Sequence, residues 1–288
     1  MCTAIAFRHC FGRNLDLEYT YQETVTVTPR NFPLSFRLAP RQPYHLAMVG
    51  MAHVVERYPL YYDAVNEAGL FVAALNFPED AHYPFHSESR YQIAPFELIP
   101  WILGRCATLA QARRLLAETT LVRQDFSSTL PTTPLHFFLA DSSGAMVAEP
   151  VKEGLRLYDN PTCVLTNSPP FPLQLAHLER ARACSDLPGD RSSISRFIRA
   201  ADIRCRPADG DPVTRMFHML GTVEMPKVCG QDAITRYTAC CDAEARTYYY
   251  TTYENRRITA VPLRPEHLEA GRLISYPLRQ RQDILTEA

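Results

Sequence analysis

Arg13 and Asp16 stand in an otherwise apolar stretch, with Ala4 to Phe7 ahead of them and Leu15 and Leu17 among them. Arginine and aspartate are rarely buried unless paired, so a fold that takes this stretch inside must bring both charges to partners. If the stretch stays outside, the two form a salt bridge in a surface turn. What lies in front gives the first reading its weight. Cys2 directly follows Met1, and excision of Met1, usual before a small side chain, would leave one residue carrying both a thiol and a free α-amine. A thiol ionises with an ordinary pKa of about 8.5 and an α-amine at roughly 7.7–8.0, so the two are matched for proton exchange. A nucleophile with its own amine as base needs no separate histidine. A guanidinium close to Cys2 would favour the thiolate, and a carboxylate would hold the amine or ammonium. Taken alone, Cys2 reads as a small residue opening a strand.

The chain has 288 residues, 46% of them hydrophobic, enough for one large domain or two small ones. No linker, repeat or low-complexity tract divides it, and one domain over residues 1–288 is the economical reading. The net charge is −1, from 30 basic and 31 acidic residues without a basic run. Nucleic acid and anionic membranes are therefore poor partners. No apolar stretch approaches the ~20 residues that span a bilayer. The first residues lack the charged and long apolar segments of a secretory signal, so a cytoplasmic location is expected. The nine cysteines, at positions 2, 10, 106, 163, 184, 205, 229, 240 and 241, are odd in number and irregular in spacing. Neither a disulfide scaffold nor a zinc ribbon fits that spacing, and no metal or other cofactor is expected. His82 and His86 are four apart, but Pro84 between them argues against a helix that would put both on one face.

Strand signals dominate the first third: residues 3–7, 23–28, 47–51, then 60–65 and 70–76 joined by a turn at Asn66-Glu67-Ala68-Gly69. Helices are expected over 95–103 and onward from a cap at Thr108. A second hairpin spans 135–151 around Asp141-Ser142-Ser143-Gly144, followed by short strands at 155–158 and 163–167. Residues 171–184, 192–205 and 212–220 read as helices, and 248–253 and 258–261 as strands. Strands, then helices, then strands again suggest antiparallel sheets with helices packed outside.

The pieces MCTAIAF, FGRNLDLEY with ETVTVTPRNF, VNEAGLFVAALNFP, VLTNSPPF, LPGDRSSISRFIRA, and TRYTACC with TYYYTTYENRRITA follow one another along residues 1–275. In that order they resemble the choloylglycine hydrolase and penicillin V acylase family of N-terminal nucleophile hydrolases. The resemblance implies an α+β fold, a four-layer αββα sandwich with two antiparallel sheets between helix layers. It implies amide hydrolysis with Cys2 as nucleophile and Arg13 and Asp16 positioning it. Asn76 and Asn167 match the polar groups around the oxyanion, where Asn167 either holds the α-amine through its side-chain oxygen or assists the oxyanion. Arg196 matches the remaining active-site arginine, preferred over Arg199 by motif position.

Asn76 in its LNFP context resembles the bile salt hydrolases, whereas penicillin V acylases commonly place tyrosine there. The small-molecule substrate implied is a steroid acid joined by an amide to glycine or taurine. Leu15, Leu17, Tyr21, Tyr58 and the 126–135 loop, including Phe126 and Leu130, are expected to line its pocket. A penicillin V or acyl-homoserine lactone acylase is the alternative within the family. A non-catalytic ligand-binding protein that keeps Met1 is the alternative outside it. Many bile salt hydrolases carry a longer excursion between the positions of Asn167 and Arg196, one that reaches a neighbouring subunit to build a tetramer. Its shortness here predicts a dimer or monomer.

Overall fold

Residues Thr24–Thr28 read Thr-Val-Thr-Val-Thr, β-branched throughout, which suits a pleated strand and disfavours a helix. The computed structural model describes residues 1–185, 187–207, 209–229 and 233–287, and sheets dominate it. The strands in chain order are β1 (Cys2–Phe7), β2 (Cys10–Leu17), β3 (Thr24–Thr28), β4 (Met48–Val55), β5 (Tyr58–Asn66), β6 (Phe71–Asn76) and β7 (Tyr91–Ile93). Then come β8 (Thr119–Leu121), β9 (Leu135–Asp141), β10 (Gly144–Val151), β11 (Gly154–Asp159), β12 (Val164–Leu165), β13 (Ile234–Asp242), β14 (Thr247–Thr252), β15 (Thr259–Pro262) and β16 (Ile274–Pro277). The helices are α1 (Leu98–Leu103), α2 (Leu109–Ala117), α3 (Phe171–Cys184), α4 (Ser193–Cys205), α5 (Pro212–Gly221) and the short α6 (Pro265–Leu268). Among the described residues, no helix is long and apolar enough to cross a membrane.

One antiparallel sheet runs in the order β12-β1-β2-β13-β14-β15, and a larger one in the order β11-β10-β9-β6-β5-β4-β3-β16. Their inner faces meet in a shared core, in which Phe11 of β2 stacks on Phe71 of β6 at 5.7 Å and Phe71 meets Phe138 of β9. Helices α3, α4 and α5 cover the outer face of the first sheet, and α1 and α2 that of the second. This is the αββα sandwich the resemblance implies. Gly12 lets α5 lie close on β2, since a Cβ there would come within 2.7 Å of both Met216 and the Ala239 carbonyl. Three helices start on side-chain caps that accept backbone N–H groups: Thr108 for α2, Ser192 for α4 and Asp211 for α5, the last followed by Pro212.

The surface-turn alternative for Arg13 and Asp16 is overturned. β2 is flanked by β1 and β13 and buried along nearly its whole length.

Candidate active site

β1 opens with Cys2 opposite Leu15, and Ala4 is opposite Arg13. Strand alternation then sends Cys2, Arg13 and Leu15 toward the second sheet and Asp16 toward the helices behind the first. Cys2 is 3% exposed and Arg13 fully enclosed. Arg13 Nη2 donates to Cys2 Sγ at 2.8 Å, and Nη1 donates across the sandwich to the carbonyls of Tyr62 and Ala74 at 2.8 and 2.9 Å. Asp63 of β5 lies on the other side of the guanidinium, its Oδ2 3.9 Å from Nε. Hydroxyls of Tyr237 and Tyr248 donate to the two Asp63 oxygens at 2.6 and 2.7 Å. Burial works against the Arg13 cation, but Tyr237, Cys2, Asp63 and Tyr248 around it outweigh that, and its pKa lies above the ordinary arginine value.

A second arginine reaches Cys2 from behind. Arg196 on α4 donates through Nη1 to the Cys2 carbonyl at 2.6 Å and Thr3 Oγ1 at 2.7 Å, and through Nη2 to Asn167 Oδ1 at 2.8 Å. The same Asn167 oxygen accepts from the Cys2 backbone nitrogen at 2.7 Å, while Asn167 Nδ2 donates to the Asn76 carbonyl at 2.7 Å. Asp16 Oδ1 accepts from Thr235 Oγ1 at 2.6 Å; Oδ2 is 3.9 Å from Arg196 and is buried without a hydrogen bond among the described residues. Burial pushes the Asp16 carboxyl up against the opposing pull of Arg196 and Thr235, and it pushes Arg196 down against Asp16 and Cys2. The Met1 amine donates to the backbone carbonyl of Asp16 at 2.6 Å.

The turn that carries Asn167 is held from several sides. Ser193 Oγ accepts its N–H, and Gln174 on α3 donates to the carbonyls of Asn167 and Pro169. Beneath it, buried His136 bonds Glu149 through Nδ1 at 3.0 Å and the Thr166 carbonyl through Nε2 at 2.8 Å, and stacks on Phe77 next to Asn76. The Glu149 carboxylate also accepts the N–H of Phe171, a donor at the start of α3 that the helix itself leaves without a partner.

In front of Cys2 a cavity of about 540 Å³ opens between the second sheet and the 126–135 loop. Leu15, Leu17, Tyr62, Ala74, Phe96 and Leu130 give it a mainly apolar wall, and Asn76 stands in it beside Cys2. Asn76 has no side-chain hydrogen bond among the described residues, so its amide is free to meet a bound molecule. Tyr19 and Tyr21, their hydroxyls 2.9 Å apart, and His53 bring polar groups to the wall. Burial raises Tyr21 to about 12 and lowers His53, so a protonated hydroxyl and a neutral imidazole face the cavity at neutral pH.

The sequence matches the family of linear amide C–N hydrolases described as the choloylglycine hydrolase family, over residues 2–186 and 180–276. The chain belongs to this family. It is 42% identical to a bile salt hydrolase/transferase of Lactiplantibacillus plantarum, over 97% of both chains. It is 30% identical to one of Clostridium perfringens, over 99% of both. The crystal structure of a C2A mutant of the conjugated bile acid hydrolase from Clostridium perfringens superposes with a TM-score of 0.93 at 29% identity, covering 99% of each chain. A penicillin V acylase from Agrobacterium tumefaciens shares the fold, with a TM-score of 0.79 at 21% identity over 96% of this chain and 90% of its own.

Of the residues singled out in the family motifs, Cys2, Arg13, Asn167 and Arg196 form one hydrogen-bonded cluster. Asp16 borders it through Arg196, and Asn76 adjoins it through its backbone and the cavity. Arg199, the neighbour not preferred, turns away to the carbonyls of Pro188 and Asp190. Leu15, Leu17, Tyr21, Phe126 and Leu130 line the cavity, whereas Tyr58 does not. Its ring packs behind the wall, 5.8 Å from both Phe96 and Phe126. Sequence reasoning passed over Asp63, Thr3, Thr235 and His53. The signal for Asp63 was present: one acid inside the apolar Tyr61-Tyr62-Asp63-Ala64-Val65 run must find a cation if buried.

Proposed function

We propose that this hydrolase cleaves the amide joining a steroid bile acid to glycine or taurine, using Cys2 as the nucleophile once Met1 has been removed. The observation that carries the reading is the placing of Cys2 Sγ, bonded to Arg13, in the wall of a large and mainly apolar cavity. Its relatives named for bile salts supply the substrate class. A rigid steroid body suits the apolar wall, and the amide comes to the sulfur.

In this mechanism Cys2 Sγ attacks the amide carbonyl carbon, forming a C–S bond as the carbonyl electrons move to oxygen. The Cys2 α-amine accepts the thiol proton and returns it to the leaving nitrogen as the C–N bond breaks. Water then attacks the thioester carbon while the α-amine takes its proton; the C–S bond breaks, the bile acid leaves and the proton returns to the Cys2 sulfur. Arg13 stabilises negative charge on sulfur. The free amide of Asn76 donates to the oxyanion, a bond whose loss typically raises such a barrier by ~3 kcal/mol or more. Asn167 Oδ1, already bonded to the Cys2 nitrogen and to Arg196, orients the amine. That supports the amine-holding role over the oxyanion role for Asn167. The unbonded oxygen of Asp16 supplies a countercharge for the ammonium.

Only 29 positions separate Asn167 from Arg196, and α3 and α4 fill most of them, which supports a dimer or monomer. A tetramer mass by light scattering would overturn this. All nine cysteines are free thiols, which supports a reducing compartment such as the cytoplasm.

The deciding experiment is release of glycine and taurine from glycocholate and taurocholate, with penicillin V alongside and intact mass to verify loss of Met1. Release from the bile salts, abolished by Cys2→Ala, is the expected result. Turnover of penicillin V alone would move the chain to the acylase branch. Intact substrates with processed protein would leave the ligand-binding alternative.

A further inference from the structure

Among the described residues, a further group of histidine, thiol and carboxylate side chains converges at the end of β1 away from Cys2. His9 lies in the turn between β1 and β2, Cys10 opens β2, and Asp242 closes β13 directly opposite Cys10. One ligand atom from each lies within 4.8 Å of the other two. The His9 ring stands between two carboxylates and hydrogen-bonds neither: Nε2 is 3.8 Å from Asp242 Oδ2, and Nδ1 is 3.4 Å from Glu244 Oε1. Ligands sharing one tetrahedral zinc ion, at bonds of about 2.0–2.3 Å, stand about 3.3–3.8 Å apart. Asp242 is already oriented for such a role. Its Oδ1 accepts the N–H groups of Glu244 and Ala245 at 3.0 and 2.8 Å, which leaves Oδ2 turned to His9. Cys240 lies two residues back on β13 and so on the same face as Asp242, and the Cys10 and Cys240 side chains are both fully buried.

We propose that His9, Cys10 and Asp242 bind one divalent ion of the zinc type. The mixed nitrogen, sulfur and oxygen set suits a borderline-soft ion and not magnesium or calcium, which take oxygen ligands. Binding releases the Cys10 thiol proton. Linear spacing hides the group because its donors arrive from two strands that become neighbours only on folding. The ion ties the β1–β2 turn to β13. It thereby stiffens the three strands that carry Cys2, Arg13, Asp16 and Thr235, from the end where no chemistry occurs.

A free Cys2 amine and thiol would themselves chelate zinc, so the test uses the Cys2→Ala chain. Titration with cobalt(II) is expected to reach one ion per chain with a near-ultraviolet thiolate-to-cobalt charge-transfer band. Zinc should displace the cobalt and raise the melting temperature. Cys10→Ser should remove the band and weaken binding by about 100-fold or more. His9→Gln, at the more exposed turn, should weaken it by ~10-fold or more, and it keeps the test decisive if Cys10→Ser does not fold. Absence of stoichiometric cobalt binding, or a band and affinity unchanged in both variants, would overturn the proposal.

Discussion

Replacing Asp63 by asparagine removes the carboxylate behind Arg13 and keeps the side chain's size. For charges 3.9 Å apart at an effective dielectric of about 20, the attraction lost is about 4 kcal/mol. Breaking one partner out of a buried pair typically costs about 3–5 kcal/mol. The new amide also turns N–H groups toward one of two tyrosine hydroxyls that now donate to Asp63. With an unfolding entropy of ~2.1 cal/mol/K per residue, that loss lowers the melting temperature of a chain this long by roughly 5–8 °C. Activity should fall as well, because the guanidinium fork is aimed at Cys2 from a base that Asp63 fixes. Losing a charge-assisted hydrogen bond of ~1.5–3 kcal/mol to the sulfur corresponds to a drop of roughly 10- to 150-fold in kcat/KM. Calorimetry and steady-state release of glycine, on protein verified to lack Met1, measure both. A variant that melts with the wild type and keeps its kcat/KM refutes the pairing. One that melts early with kcat/KM intact confines Asp63 to folding.

Arg196→Lys should lower kcat at least ~10-fold with little change in KM, since one ammonium cannot serve the Cys2 carbonyl, Thr3 and Asn167 together; steady-state kinetics read this directly. Phe126→Ala removes part of the cavity wall and should raise KM for conjugated bile salts several-fold, up to ~10-fold, while kcat changes less than ~2-fold. Glu67 gives a pH test. Burial pushes its carboxyl up, but Arg30 and the Ala47 N–H outweigh that and hold it below the ordinary value. A depressed carboxyl contributes stability that is present above its unfolded pKa of ~4.3 and lost as pH falls through the folded value. Glu67→Gln should therefore melt below the wild type at pH 7 and converge with it under strongly acidic conditions; equal melting curves at both would contradict the assignment.

The helices were the most legible part of the chain. Residues 171–184 coincide with α3, and the cap at Thr108 sits where α2 begins, because caps and apolar spacing are local signals. Strands β2 and β13 were not read as strands, although they lie side by side in the first sheet. β2 holds Arg13, Asn14 and Asp16, and β13 holds Thr235, Tyr237 and a cysteine pair, so neither alternates between apolar and polar. Their partners come from elsewhere in the chain: Asp63 for Arg13, Leu220 for Asn14 and Thr235 for Asp16. Local pattern carries no record of such contacts. Arg13 and Asp16 were nonetheless marked by the need of buried charges for partners. Tyr58 was placed in the cavity by position along the chain, which does not say which way a ring at a strand end turns.

The bonds from Arg13 to the carbonyls of Tyr62 and Ala74 run from one sheet into the other. The arginine that touches Cys2 is thus a rivet between the two halves of the sandwich, and its aim depends on their spacing. A slip of the sheets by a fraction of an ångström would misdirect the guanidinium while every strand stayed paired. Warming or pressure should then switch the enzyme off before its secondary structure melts, so that activity works as a gauge of how tightly the layers are seated.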